Sequence, residues 1–272
     1  MIKRIALLLV FSLLIISGLP ASDFAKDKVI AKIDKHAVAV AVYYAMTEQE
    51  YKKRLVDSKS WKEKYPTCQV AFLGKPGDAI RYVAYIGSGT VVKANHVLTV
   101  SHLVDQDANT LGMSIYVFRK GYERFWEADL IAKTHNVTSA KDYAVIKTRG
   151  DMGLPGIKVA KIETKVGDKV IYVGSTQGLA FNRRFGYIST QKYFFYRGVE
   201  SALHLGHWED FEYLMVVDGG PGDSGGGIYN TKGELVSIMY CGVNANHSPV
   251  FANPLEMLWE FLRTVELGWI AE

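Results

Sequence analysis

Ser224 stands in the run Gly222-Asp223-Ser224-Gly225-Gly226. A serine hydroxyl becomes a useful nucleophile when it is exposed on a tight turn beside a base. Backbone N–H groups must also be aimed where an oxyanion will form. Glycines on both sides let the chain turn sharply and let a substrate approach without a Cβ in the way. The N–H groups of Gly222 and Ser224 are the candidate oxyanion donors. A base is offered by His102, which follows the apolar run Val97-Leu98-Thr99-Val100-Ser101. An acid is offered by Asp142, which opens Tyr143-Ala144-Val145-Ile146, where a carboxylate can be buried against an imidazole. Each feature alone is ordinary: a structural turn, an incidental histidine, a strand cap. Brought together they would form a relay for acyl transfer.

Rivals exist for two of the roles. Asp105, Asp107 and Asp129 are alternative acids, but none opens an apolar strand as Asp142 does. His96 reads as an incidental histidine and His135 as a loop residue. An α/β-hydrolase would place its histidine after the serine, and His247, the only one there, lacks matching context.

Positioning these groups requires many short elements. Apolar or alternating runs recur at Val70–Leu73, Arg81–Val92, Val97–Val100, Ser114–Arg119, Trp126–Thr134, Tyr143–Lys147, Lys169–Gly174, Arg184–Ser189, Tyr213–Val217, Gly226–Asn230, Leu235–Tyr240 and Val250–Ala252. Turn residues such as Lys120-Gly121, Pro155-Gly156 and Lys232-Gly233 separate them. Short strands at regular spacing predict an all-β barrel or sandwich. Pro254 then opens a helical pattern through Leu255, Leu258, Leu262 and Val265.

The start of the chain is different. Lys3 and Arg4 precede the apolar stretch Ile5–Ser17, and Ala21 offers a small residue for cleavage, so residues 1–21 read as a secretory signal peptide. The alternative is an uncleaved anchor. Residues 22–66 read as an N-terminal extension or propeptide, with a charged helix over Thr47–Lys64, and residues 67–272 as the main domain. The net charge of +4 includes Lys3 and Arg4, and +2 remains without them. That is too little to suggest a nucleic-acid partner. Two cysteines, Cys68 and Cys241, do not make a disulfide scaffold.

The motifs Gly87-Ser88-Gly89-Thr90-Val91-Val92, Val97–His102, Lys141–Ile146 and Gly222–Gly227 together resemble the trypsin-like serine peptidases, in that family's chain order of His, Asp and Ser. The likeness is greatest to the compact bacterial and viral branch and spans about Cys68 to Val265. It implies two six-stranded antiparallel β-barrels, a C-terminal helix and an N-terminal signal or extension. It also implies a catalytic triad of His102, Asp142 and Ser224, an oxyanion hole at Gly222 and Ser224, and no metal or organic cofactor. By resemblance Asp218 would floor the first specificity pocket and select Lys or Arg. Tyr240 and Gly242 would line the strand that pairs with substrate. The expectation is a secreted or periplasmic serine endopeptidase acting on proteins or peptides, without stable membrane association once the signal is cleaved; the alternative is an inactive binding module on the same fold. Two positions depart from the family pattern: Gly227 stands where many members have Pro, and Ser101 where many have Ala. The usual Ile/Val-Val-Gly-Gly activation sequence is absent, so zymogen cleavage, in which Asp223 would pair with a freed amino terminus, is not expected.

Overall fold

The computed structural model describes residues 25–64, 70–75, 78–105, 109–119, 124–134, 141–176, 181–190, 213–216, 219–242 and 250–265. The chain begins with helix α1 (Asp27–His36), strand β1 (Ala37–Thr47) and helix α2 (Glu48–Lys64). Twelve further strands follow: β2 (Val70–Leu73), β3 (Ile80–Lys93), β4 (His96–Thr99), β5 (Gly112–Phe118), β6 (Phe125–Lys133), β7 (Ala144–Thr148), β8 (Lys169–Gly174), β9 (Asn182–Thr190), β10 (Tyr213–Val216), β11 (Gly227–Asn230), β12 (Leu235–Gly242) and β13 (Val250–Ala252). Helix α3 (Leu255–Thr264) closes the described chain.

The strands form two antiparallel units. In the first the order is β1-β5-β6-β7-β4-β3-β2, and an additional β1–β3 pairing joins the ends of a six-strand run, leaving β2 as a seventh strand beside β3. The second is a closed barrel, β10-β13-β12-β11-β8-β9. Closure removes the free edges that a short-stranded sheet would otherwise expose. Buried Val, Ile, Leu and Tyr side chains from both units form one continuous core, including Val97, Leu98, Ile146, Ile171, Tyr172, Tyr229 and Ile238.

Residues 22–66, expected as an N-terminal extension or propeptide outside the main domain, contribute a strand to its first sheet. Strand β1 lies between β3 and β5, with Val40 opposite Gly87 on one side and Val117 on the other. A domain boundary at residue 67 would cut the sheet. Its sequence, Ala-Val-Ala-Val-Ala-Val, buries both faces. Val38, Val40 and Val42 join the core while Ala39 and Ala41 are covered on the opposite face. No polar alternation marks such a strand.

Helix α3 follows Pro254, as its sequence predicted, and buries Leu255, Leu258, Phe261 and Leu262. Phe261 stacks on Tyr143 with ring centroids 5.2 Å apart, and the Trp259 indole donates to the Ala160 carbonyl at 3.1 Å. Tyr143 follows Asp142, so the helix braces the start of β7.

Candidate active site

His102 sits in a single 3₁₀ turn, Ser101–Leu103, at the end of β4. The turn is held from behind by the buried Tyr44 of β1, whose hydroxyl donates to the Leu103 carbonyl at 2.7 Å. Asp142 lies two residues before the start of β7 and is buried. Thr134 ties that segment down, accepting the Tyr143 N–H at 3.1 Å and donating to the Lys141 carbonyl.

The acid and base meet directly. The Nδ1 of His102 lies 2.5 Å from Oδ2 of Asp142, while Oδ1 accepts the His102 backbone N–H at 2.9 Å and the Ser101 hydroxyl at 2.8 Å. Burial alone would push the Asp142 carboxyl up. The His102 charge and the hydrogen bonds from His102 and Ser101 outweigh it, and the carboxyl is held below its ordinary value. For His102, burial acts to lower the pKa, but the Asp142 charge, its hydrogen bond and the more distant Asp105 lift it above the ordinary 6.5. The imidazole retains 36% side-chain exposure, so its other edge is open to solvent. Asp105, one of the rival acids, instead pairs with Lys133, and Asp129 pairs with Arg149 at 2.8 Å. Asp107 lies outside the described residues.

Ser224 lies on the turn before β11, in the second barrel. Gly222 has φ +92° and Gly225 φ +88°, left-handed conformations that side chains disfavour. Gly225 is further constrained, because a Cβ there would fall 2.1 Å from the Ser88 carbonyl oxygen. Among the described residues, the N–H groups of Gly222 and Ser224 donate to no protein acceptor, whereas the neighbouring Asp223, Gly225 and Gly226 amides are all engaged. The Ser224 hydroxyl donates to the Tyr240 carbonyl at 3.4 Å rather than to His102. That long contact is easily exchanged, since catalytic hydrogen bonds commonly tighten only when substrate is bound.

The serine turn is fastened by two groups to which the sequence assigned no role. Ser88, in the Gly-Ser-Gly run of β3, uses every polar atom it has. Its N–H donates to the Ser224 carbonyl (2.7 Å), its hydroxyl donates to the Gly222 carbonyl (2.7 Å) and accepts from Ser175 N–H (2.6 Å), and its carbonyl accepts from Thr99 (2.7 Å). It therefore couples the first barrel to the serine turn of the second. Arg184 of β9 pairs at 2.6 Å with Asp223, which is fully buried. Thr176 donates to the other Asp223 oxygen at 2.6 Å, and the Gly220 N–H to the first at 2.7 Å. The charged residue beside the nucleophile was visible in sequence, but its partner 39 positions away carries no local signal.

Tyr240 and Gly242 lie on β12. Residues 241 and 242 pair with β13, but β11 reaches only as far as Ile238. Past Ile238 the strand stays beside the serine turn, with Met239 exchanging hydrogen bonds with Gly225 and Gly226 at 2.7 and 3.0 Å. Asp218 lies outside the described residues, as does Cys68 with any pairing to Cys241. No cluster of three His, Cys, Asp or Glu suited to a metal occurs among the described residues.

A family model described as trypsin-like peptidase domain matches residues 87–238, more than half of the chain. The chain belongs to the trypsin-like peptidase domain family. Its matched region holds the Gly-Ser-Gly strand, the His102 turn, Asp142 and the Ser224 turn. Among curated relatives, a probable periplasmic serine endoprotease DegP-like protein of Buchnera aphidicola subsp. Schizaphis graminum is 30% identical over 156 residues, covering 56% of this chain and 29% of the relative. Periplasmic serine endoprotease DegP of Escherichia coli K12 is 27% identical over 176 residues, covering 64% of this chain and 33% of the relative. The chain thus spans only about a third of the length of these family members. Two solved structures share the fold. The HtrA-type protease AlgW with a decapeptide gives a TM-score of 0.63 at 18% identity, covering 89% of this chain and 67% of that one. The active form of the Rv3671c protease from M. tuberculosis gives 0.60 at 17%, covering 92% and 88%.

Proposed function

We propose that this trypsin-like peptidase domain is an exported serine endopeptidase using Ser224 as nucleophile, His102 as general base and acid, and Asp142 as the group that orients and charges the imidazole. The single observation that carries this reading is the 2.5 Å contact between His102 Nδ1 and a buried Asp142. An ionised carboxylate there fixes the proton on Nδ1 and leaves Nε2 as the base. Ser224 rotates from the Tyr240 carbonyl toward Nε2, gives up its proton and attacks the scissile carbonyl. The free amides of Gly222 and Ser224 then receive the oxyanion, at about 3 kcal/mol per donor. His102 returns the proton to the leaving amine, and water repeats the sequence to release the acyl group.

A peptide is proposed as the substrate rather than a small ester, in keeping with the relatives named as endoproteases, with an extended segment lying along β12 near Tyr240 and Gly242. Asp218 is proposed to floor the pocket for the side chain before the scissile bond and to favour Lys or Arg, because a buried carboxylate left without a cation is costly. Residues 1–21 are proposed as the export signal, in keeping with the periplasmic names of the relatives. No helix among the described residues is long and apolar enough to cross a membrane. The test is labelling by a fluorophosphonate probe together with cleavage of an unfolded protein. Both are expected for the native chain and both should vanish in Ser224→Ala. Labelling that survives this change would refute the nucleophile assignment, and a native chain that neither labels nor cleaves would favour an inactive binding module.

A further inference from the structure

We propose that Ser101 is a positioning residue of the acid–base pair, its buried hydroxyl fixing the rotation and charge of the Asp142 carboxylate. This rests on the triad reading above. The hydroxyl donates to Asp142 Oδ1 at 2.8 Å, and Ser101 has no exposed surface. The same oxygen takes the His102 backbone N–H at 2.9 Å, and the other oxygen takes the imidazole. Among the described residues, every hydrogen bond to this carboxylate therefore comes from two consecutive residues of one 3₁₀ turn. Two donors on Oδ1 lock the carboxylate about its Cβ–Cγ bond, so that Oδ2 stays aimed at Nδ1. A buried carboxylate with too few donors either reorients or becomes more basic.

Turn and acid both belong to the first barrel, so these hydrogen bonds orient the base without a group from the Ser224 turn. The residue type is also informative. Alanine, which resemblance places at this position in many relatives, could not make the bond. The groups that bear charge around the imidazole are Asp142 and, further off, Asp105, which is tied to Lys133. Ser101 is the neutral dipole among them. It draws charge away from Asp142, so its removal leaves more negative charge facing His102 and favours the imidazolium.

The test is Ser101→Ala, which deletes one atom and adds no bulk, read by the kinetics of fluorophosphonate inactivation across pH. Thermal melting and titration of the labelled fraction normalise the rates to folded protein. The maximal inactivation rate is expected to fall about tenfold with little change in the probe's half-saturating concentration. The acidic limb of the rate should move to higher pH by about half a unit. A native limb and native rate would overturn the proposal. So would a reduced rate with an unmoved limb, which would mark Ser101 as a packing residue only. Ser224→Ala, run alongside, keeps the two readings apart: labelling there would sink the triad itself, whereas loss there with a native Ser101→Ala sinks only the positioning role.

Discussion

The His102 imidazole is lifted above 6.5 although burial works against its charge, so the Asp142 carboxylate must be supplying the surplus. This fixes the sign of a pH prediction. A general base works only when neutral, so activity falls as pH drops through the His102 value, and the acidic limb should lie above 6.5. Asp142→Asn removes the charge and leaves burial opposed mainly by the more distant Asp105. The limb is then expected to move to lower pH, while the rate at neutral pH falls by roughly 10³- to 10⁴-fold because the wrong tautomer is favoured. A pH profile of labelling for native and variant chains checks both parts; a limb that stays in place would mean the two groups are not coupled. His102, Asp142 and Ser224 were legible because their motifs combine a reactive side chain with a strand end or glycine turn. The bracing roles of Ser88, Ser101 and Thr176 were not, although Ser88 lies in a matching motif and Ser101 departs from the family pattern. A buried hydroxyl acquires its role from a partner's position in space, and nothing beside it in the chain records that position.

At the scale of elements, the short strands were legible because each pairs a turn residue with a run of β-branched or aromatic residues. Expected Lys169–Gly174 and Val250–Ala252 coincide with β8 and β13. Strand β9 shows what such a reading leaves out. It was expected as Arg184–Ser189, a length of sheet, but Arg184 also reaches the buried Asp223 under the serine turn. An internal cation thus pairs with Asp223, the residue that resemblance would match with a freed amino terminus in a cleavage-activated relative. Arg184→Met leaves a buried carboxylate unpaired and should cost about 3–5 kcal/mol, seen as lowered thermal stability and weaker labelling. Neutralising the acid as well, in Arg184→Met/Asp223→Asn, should recover part of that stability. If the double variant is no better than the single one, the contribution of Arg184 is packing rather than charge.

For the whole molecule, the informative segment is the one the sequence left ambiguous. Helix α1 packs against the second barrel, with Asp34 bonded to Arg183 of β9 at 2.5 Å and Val29 and Ile33 lying against the Gly233 turn. Strand β1, which follows it directly, completes the first barrel and supports the His102 turn through Tyr44. One continuous stretch therefore braces both halves, and its removal would do more than trim a terminus. It would open β3 and β5 as unpaired edges, expose Val40, Val42 and Ile33 partners of the core, and release the Leu103 carbonyl. A chain beginning at residue 25 is accordingly expected to fold and to label with a fluorophosphonate. One beginning at residue 67 is expected to be insoluble, or to melt without a cooperative transition and take up no probe. The pair can be compared by circular dichroism and active-site labelling at matched concentration. Full labelling of the shorter chain would mean that residues 25–66 are dispensable for both barrels, and would return them to the role of a removable extension.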